Sequence, residues 1–204
     1  KDDKGKSIRI PELIFGHLLT SSNYDKNEEK IVGGKNGYGA KLANIFGKEF
    51  TVETVDHVNK KKLVQTFSNN MKDKTQPKIT SVEKTRPYTK ITWLPDYKKF
   101  NMTGMTKELE NIIKKRVYDI AGVTDKKTKV YFNDKQVECR EFEKYVDLYI
   151  GNSKETKRAY LECLGWQVVA TSSDDDVFQH VSYVNGIFTS RGGTHVDYVC
   201  DIIK

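Results

Sequence analysis

The nine residues Gly33–Lys41, Gly-Gly-Lys-Asn-Gly-Tyr-Gly-Ala-Lys, constrain this chain more than any other stretch. They hold four glycines and two lysines, and an apolar segment at helical spacing follows: Leu42, Ala43, Ile45 and Phe46, with Gly47 as a stop. A glycine-rich loop that feeds a helix turns backbone N–H groups toward one place, where they can surround a phosphate. Glycine lets the backbone approach a ligand closely and take positive φ. Gly39, between Tyr38 and the helix carrying Lys41, is where both are expected. The two common phosphate motifs start to fit and then fail. Gly34 and Gly39 have P-loop spacing, but Ala40-Lys41-Leu42 stands where Lys and then Ser or Thr is required. Gly37-Tyr38-Gly39 opens a dinucleotide fingerprint, but Leu42 takes the place of its third glycine. Both motifs follow a strand, whereas Lys26–Lys30 is polar. The pattern therefore predicts a polyphosphate loop of another kind, carried by a lid. Asn23–Gly39 has charge, glycine and few apolar anchors, so this lid is expected to be mobile without nucleotide.

A second signal lies just upstream. Pro11–Leu19 reads as a helix with proline in its first turn and Leu13, Ile14, Leu18 and Leu19 at helical spacing. It runs into Thr20-Ser21-Ser22-Asn23-Tyr24-Asp25, a dense set of hydroxyl and amide groups able to bond ribose hydroxyls and phosphate oxygens. Taken alone, Thr20–Asn23 also fits a helix C-terminal turn or a cap, and Ile14 and Phe15 fit a core.

Together these runs resemble the ATPase region of eukaryotic-type DNA topoisomerase II, a type IIA topoisomerase. The residues that carry the resemblance are Pro11–Asp25 and Gly33–Phe46, then Phe50–Thr54, Tyr88–Thr92 and Arg116–Gly122. Near the end, Ser182–Ile187 and Gly192-Gly193-Thr194-His195-Val196-Asp197-Tyr198 resemble the start of the transducer domain. The Gly-Gly-Thr-His run also occurs in bacterial gyrase-type relatives.

The resemblance implies an α+β fold of GHKL (Bergerat) type, a mixed sheet with helices on one face. Residues 1–152 would be part of the ATP-binding domain and 153–204 the beginning of the transducer. It implies that ATP is held by Ile14 and Phe15 at the base, Ser21, Ser22 and Asn23 at ribose and phosphates, and Thr89 near the adenine. Gly34, Lys35, Asn36, Gly37, Tyr38, Gly39, Ala40 and Lys41 would wrap the triphosphate. The family usually has arginine where this chain has Lys35, which keeps the charge and loses the planar fork. The family's Mg²⁺-binding Asn and general-base Glu are expected upstream of residue 1, so no catalytic or metal ligand is assigned here and no ATP turnover is expected from these residues alone. DNA as partner, a homodimer closed by ATP, and a nuclear location are implied for the parent enzyme. Two readings compete: another GHKL ATPase of chaperone or mismatch-repair type, and a basic DNA-binding module suggested by charge alone.

Composition sets the outer limits. A formal charge of +7 favours an anionic partner, with lysines gathered at 60–62, 98–99, 114–115 and 126–127. No aromatic alternates with these clusters as a stacking platform needs. No apolar run approaches the roughly 20 residues of a membrane span, so no membrane partner is expected. Cys139, Cys163 and Cys200 lack metal spacing and are expected as free thiols.

Periodicity places strands at 50–55, 63–68, 79–82 and 89–94, joined by polar segments that suit antiparallel pairing. Thr106–Ala121 reads as a helix with Leu109, Ile112, Ile113, Val117 and Ile120 on one stripe and Gly122 as the residue beyond its end. A hairpin is expected around Asn133-Asp134-Lys135 and a helix over Phe142–Ile150. Beyond the polar stretch 152–158, strands are expected at 166–171 and 180–187. A last helix over 195–203 would be capped by Thr194.

Overall fold

The computed structural model describes residues 7–25, 32–34, 36–83, 86–173 and 175–204. They form two compact units that meet between Met105 and Thr106. Every described strand pair is antiparallel, and helices and strands are mixed in both units, as the α+β reading expects.

In the first unit the helices α1 (Ile10–Gly16) and α2 (Gly39–Ile45) precede five strands: β1 (Gly47–Asp56), β2 (Lys61–Ser68), β3 (Asp73–Lys74), β4 (Lys78–Ser81) and β5 (Tyr88–Pro95). β1 is central, between β2 and β5, and β2 also pairs with β3 and β4. The buried face alternates along β2 as Leu63, Gln65, Phe67, as a half-covered sheet requires. Phe67 faces Phe50 across the ladder, and Phe50, Val52 and Phe67 make the core with Phe15 of α1 and Ala43 of α2 packed on them. Fully burying a side chain of this size stabilises by about 1.5–3 kcal/mol, so this cluster anchors both helices to the sheet. α1 can lie this close because Gly16 has no side chain: a Cβ there would come within 2.5 Å of the Phe67 ring. Gln65, only 1% exposed, donates to the Thr75 carbonyl at 3.0 Å and to Glu12 of α1 at 3.3 Å. Lys74 also reaches Glu12, at 2.6 Å. Burial alone would raise the Glu12 pKa, but the bonds from Lys74 and Gln65 hold it below its ordinary value.

α1 stops at Gly16 rather than Leu19. Thr20 Oγ1 donates to the carbonyls of Leu13 and His17, 3.0 and 2.9 Å, and Leu19 takes φ +57°. The hydroxyl satisfies end carbonyls that further turns would otherwise bond. Gly47 is not a stop but the first residue of β1, with the Trp93 ring against it.

The second unit opens with α3 (Lys107–Val123), capped by Thr106, whose Oγ1 accepts from the Leu109 amide at 3.2 Å. The hairpin β6 (Tyr131–Phe132) and β7 (Lys135–Gln136) follows, then α4 (Phe142–Ile150), the hairpin β8 (Ala159–Cys163) and β9 (Trp166–Ala170), the short hairpin β10 (Tyr183–Val184) and β11 (Ile187–Phe188), and α5 (Thr194–Ile203). Ala121, Val137, Cys139 and Tyr145 form its core. Four expectations need correction. Gly122 lies inside α3, not beyond it. The face α3 buries is Asp119, Ala121 and Gly122, while Ile112 and Ile120 of the expected stripe stay exposed. The reason is the Tyr145 ring, which needs small residues beneath it. The expected strand over 180–187 is a hairpin that turns at Asn185-Gly186, both at positive φ, the strongest short-range hairpin signal. Gly193, not Thr194, occupies the cap position of α5.

A Cβ on Gly122 would stand 2.2 Å from Tyr145 Cγ. Gly122→Ala is therefore expected to lower stability by about 1–3 kcal/mol through overpacking, although alanine is the better helix former. Urea or thermal unfolding of the variant checks the sign, since propensity alone would raise the midpoint.

Candidate functional site

The loop and the hydroxyl-rich segment that the sequence singles out are joined in the structure. Asn23 Nδ2 donates to the Gly34 carbonyl at 2.6 Å, and the Tyr24 hydroxyl to the Asn36 carbonyl at 3.2 Å. Ser21 Oγ accepts the Asn23 amide at 3.1 Å, which turns the segment back on itself, and Ser22 Oγ donates to Asn23 Oδ1 at 3.4 Å. The Thr20 carbonyl is the junction. It accepts from Lys41 Nζ at 2.8 Å, and the backbone of Gly37 passes directly over it.

Gly37 is the glycine that this crossing requires. Its φ is +67°, and a Cβ would lie 2.1 Å from the Thr20 oxygen. Gly39, where the sequence places positive φ, opens α2 outside the left-handed region, and a Cβ there would meet nothing within 4 Å. The left-handed turn falls earlier because the chain must cross Thr20 before α2 begins. Tyr38, at the cap of α2, is exposed, and Ala40 is half-buried.

Lys41 is the chemically conspicuous member. It is 3% exposed, in the first turn of α2, and desolvation holds its ammonium below the ordinary lysine range. An ammonium has three protons to donate, and Thr20 takes one. A buried cation is costly unless paired, so the arrangement suits an anion approaching from the loop.

The remaining expected residues divide. Phe15 packs on Phe50 with ring centroids 5.9 Å apart and is part of the core. Ile14 is 46% exposed on the same helix, and so is available to a ligand. Thr89 of β5 pairs with Thr54, their hydroxyls 3.0 Å apart. Alternation puts Thr54 and Thr89 on the sheet face that carries Phe50 and Val52, which is the face Phe15 covers. Lys35, and Lys26–Lys30 of the expected lid, lie outside the described residues.

Sequence reasoning missed Asn44. It is 1% exposed in α2, and its Nδ2 donates to the Phe15 carbonyl at 3.0 Å, tying α2 to the end of α1. An asparagine between Ala43 and Ile45, in an apolar helical run, was the signal. Among the described residues no group of three or more His, Cys, Asp or Glu side chains is placed to hold a metal ion. None of the described helices is long and apolar enough to cross a membrane.

The scan against protein-family models gives no match. Among curated proteins, DNA topoisomerase 2 of Acanthamoeba polyphaga mimivirus is 50% identical over 200 residues, covering 96% of this chain and 16% of the relative. Among solved structures, the ATPase region of Saccharomyces cerevisiae topoisomerase II superimposes with a TM-score of 0.90 at 45% identity, covering 100% of this chain and 53% of the other. The ATPase and transducer domains of Balamuthia mandrillaris topoisomerase II give a TM-score of 0.88 at 39% identity, over 97% of this chain and 50% of that one. This chain thus spans about one sixth of the first curated relative and about half of the solved ATPase regions. With identity of this order along nearly the whole chain and the same fold, the chain belongs to the DNA topoisomerase II family and matches within its ATPase region.

Proposed function

We propose that this chain is part of the ATP-operated clamp of a type II DNA topoisomerase, an enzyme that passes one duplex through a break in another. The observation that carries the reading is the buried Lys41 ammonium at the Thr20 junction, in the first turn of the helix that follows a glycine loop tied to Asn23 and Tyr24. ATP would be held with its phosphates along Gly34–Lys41. Lys41 would supply charge-assisted hydrogen bonds, and Ser21, Ser22 and Asn23 would orient ribose and phosphates. Ile14 and Thr89 would bound the base, with Phe15 supporting them from the core. ATP supplies the phosphoanhydride bond, and the residues named here bind and orient it. No residue of this chain is assigned to Mg²⁺ or to the base that activates water. Residues 1–152 serve the nucleotide and 153–204 begin the transducer. The full protein acts on DNA as a homodimer, in the nucleus of a eukaryotic cell, and the +7 charge suits the DNA partner.

Hydrogen exchange on the full-length protein tests the reading. A non-hydrolysable ATP analogue is expected to protect amides of residues 20–24 and 36–41 above all others of this chain. Protection confined to other segments would show that the loop does not hold the nucleotide.

A further inference from the structure

The second unit contains a polar network that nucleotide binding leaves unused. Asp119 of α3 is 1% exposed. Its carboxylate accepts from Lys115 Nζ at 2.9 Å on both oxygens, from Arg116 at 3.2 Å and from the Tyr145 hydroxyl at 2.8 Å. The Tyr145 oxygen in turn lies 2.8 Å from the Tyr149 hydroxyl and 2.6 Å from that of Tyr183. Burial would raise the Asp119 pKa, but its bonds to Lys115 and Tyr145 keep it below the ordinary carboxylate value. A carboxylate only accepts. Tyr145 must therefore give its one proton to Asp119, and Tyr149 and Tyr183 must both give theirs to Tyr145. The hydrogen-bond directions are fully determined, and they converge on α3.

Tyr183 begins the hairpin β10–β11, and the hairpin is held at its other margin as well. Ser182 Oγ lies 2.6 Å from Thr189 Oγ1, and Thr189 Oγ1 lies 3.1 Å from Nε2 of His195, the second residue of α5. Lys115 adds a grip from α3, with its ammonium 4.7 Å from the Phe188 ring centre. The turn into α5 is also fixed. Gly192 and Gly193 take φ +71° and +142°, and a Cβ on either would come 3.3 Å from the imidazole of His180 or His195 respectively. The hairpin thus bridges α3 and α5 through short polar contacts on both sides.

We propose that the β10–β11 hairpin is a coupling piece, with Tyr145 and Tyr183 as positioning residues, that makes the placement of α5 follow that of α3. This rests on the reading above, in which α3 and α4 belong to the nucleotide-binding part and the hairpin and α5 to the transducer. Tyr183→Phe keeps the ring and deletes the proton that joins hairpin to hub. Tyr149→Phe deletes a proton from the same hub without touching the hairpin.

The experiment measures, on the full-length protein, ATP affinity, phosphate release and strand passages per ATP hydrolysed. Tyr183→Phe is expected to leave ATP affinity within about twofold. It is expected to lower passages per ATP by at least about fivefold, the lower end of usual couplings between sites. Tyr149→Phe is expected to leave the ratio unchanged. A Tyr183→Phe ratio equal to the unsubstituted protein's, with only the unfolding temperature lowered, overturns the proposal, as does an equal loss in Tyr149→Phe. Should Tyr183→Phe fold poorly, Thr189→Val cuts the other grip and carries the same expectation. Failure of the clamp reading itself would show differently, as strand passage by the unsubstituted protein that does not depend on ATP.

Discussion

Lys41→Met is expected to separate affinity from stability. In the full-length protein, ATP affinity should fall roughly 10- to 100-fold, while the unfolding midpoint stays within a few degrees. The loss follows from charge-assisted hydrogen bonds of about 1.5–3 kcal/mol each, where every 1.4 kcal/mol is about tenfold. The retained stability follows from burial. Lys41 is 3% exposed and its pKa is pushed down from 10.5 by desolvation. Below the lowered folded value its ammonium is charged in the folded and the unfolded chain, and the fold bears the whole desolvation cost. That cost is relieved only as pH rises from the lowered folded value past the unfolded one. Methionine fills a similar volume without the charge, and such exchanges are often neutral or stabilising. The Thr20 carbonyl loses a donor, but it is half-buried and water can serve it. A fluorescent ATP analogue and a thermal melt decide the matter. Unchanged affinity would remove Lys41 from the site, and a parallel collapse of stability would make it a structural residue.

Much of the candidate site was legible because it is local. Gly33–Lys41 and Thr20–Asp25 are each one short stretch, and their glycines, hydroxyls and lysine single them out as a candidate site without reference to the rest of the fold. What the sequence did not show is how the two stretches touch. The Thr20 carbonyl is a backbone atom with no signature of its own. Its use by Lys41 and its crossing by Gly37 are tertiary facts, and for that reason positive φ was expected at Gly39 and found at Gly37. Asn44 was passed over for a similar reason, since a polar residue in an apolar run has meaning only once its partner, the Phe15 carbonyl, is in place.

Four of the five strands of the first unit followed from period-two alternation, with ends within three residues, because one face of the sheet is covered and the other is not; the two-residue β3 was not expected. In the second unit the pattern misled where a single side chain set the packing. Tyr145 selects Ala121 and Gly122 as its floor, so the buried face of α3 is not its most apolar stripe. The 180–187 segment read as one strand because its apolar residues run through Asn185-Gly186, and the turn chemistry at those two residues outweighed the alternation.

Gly37→Ala and Gly39→Val are expected to fail in different ways, and the difference tests what the loop is for. Alanine at 37 would keep a left-handed φ that costs a non-glycine residue about 1–3 kcal/mol. Its Cβ would also stand 2.1 Å from the Thr20 oxygen and 3.2 Å from Ser21 Cβ. Neither contact is the yielding end of a flexible side chain, and Thr20 is already bonded to Lys41. The loop must therefore lift away from Thr20–Asn23 even without nucleotide. Hydrogen exchange of the nucleotide-free protein should quicken at Asn23 and Lys41, and ATP affinity should fall with it. Valine at 39 meets nothing in the protein and needs no left-handed backbone. Exchange in the nucleotide-free protein should be unchanged there. Any loss of ATP affinity must then come from the phosphates, which the exposed face of Gly39 is free to approach and a valine side chain would obstruct. The expected outcome is normal folding with ATP binding and ATP-dependent strand passage both lost, while DNA cleavage without nucleotide persists. If Gly39→Val bound ATP as the unsubstituted protein does, the glycine loop would be a structural turn, and the phosphates would have to lie elsewhere despite the burial of Lys41.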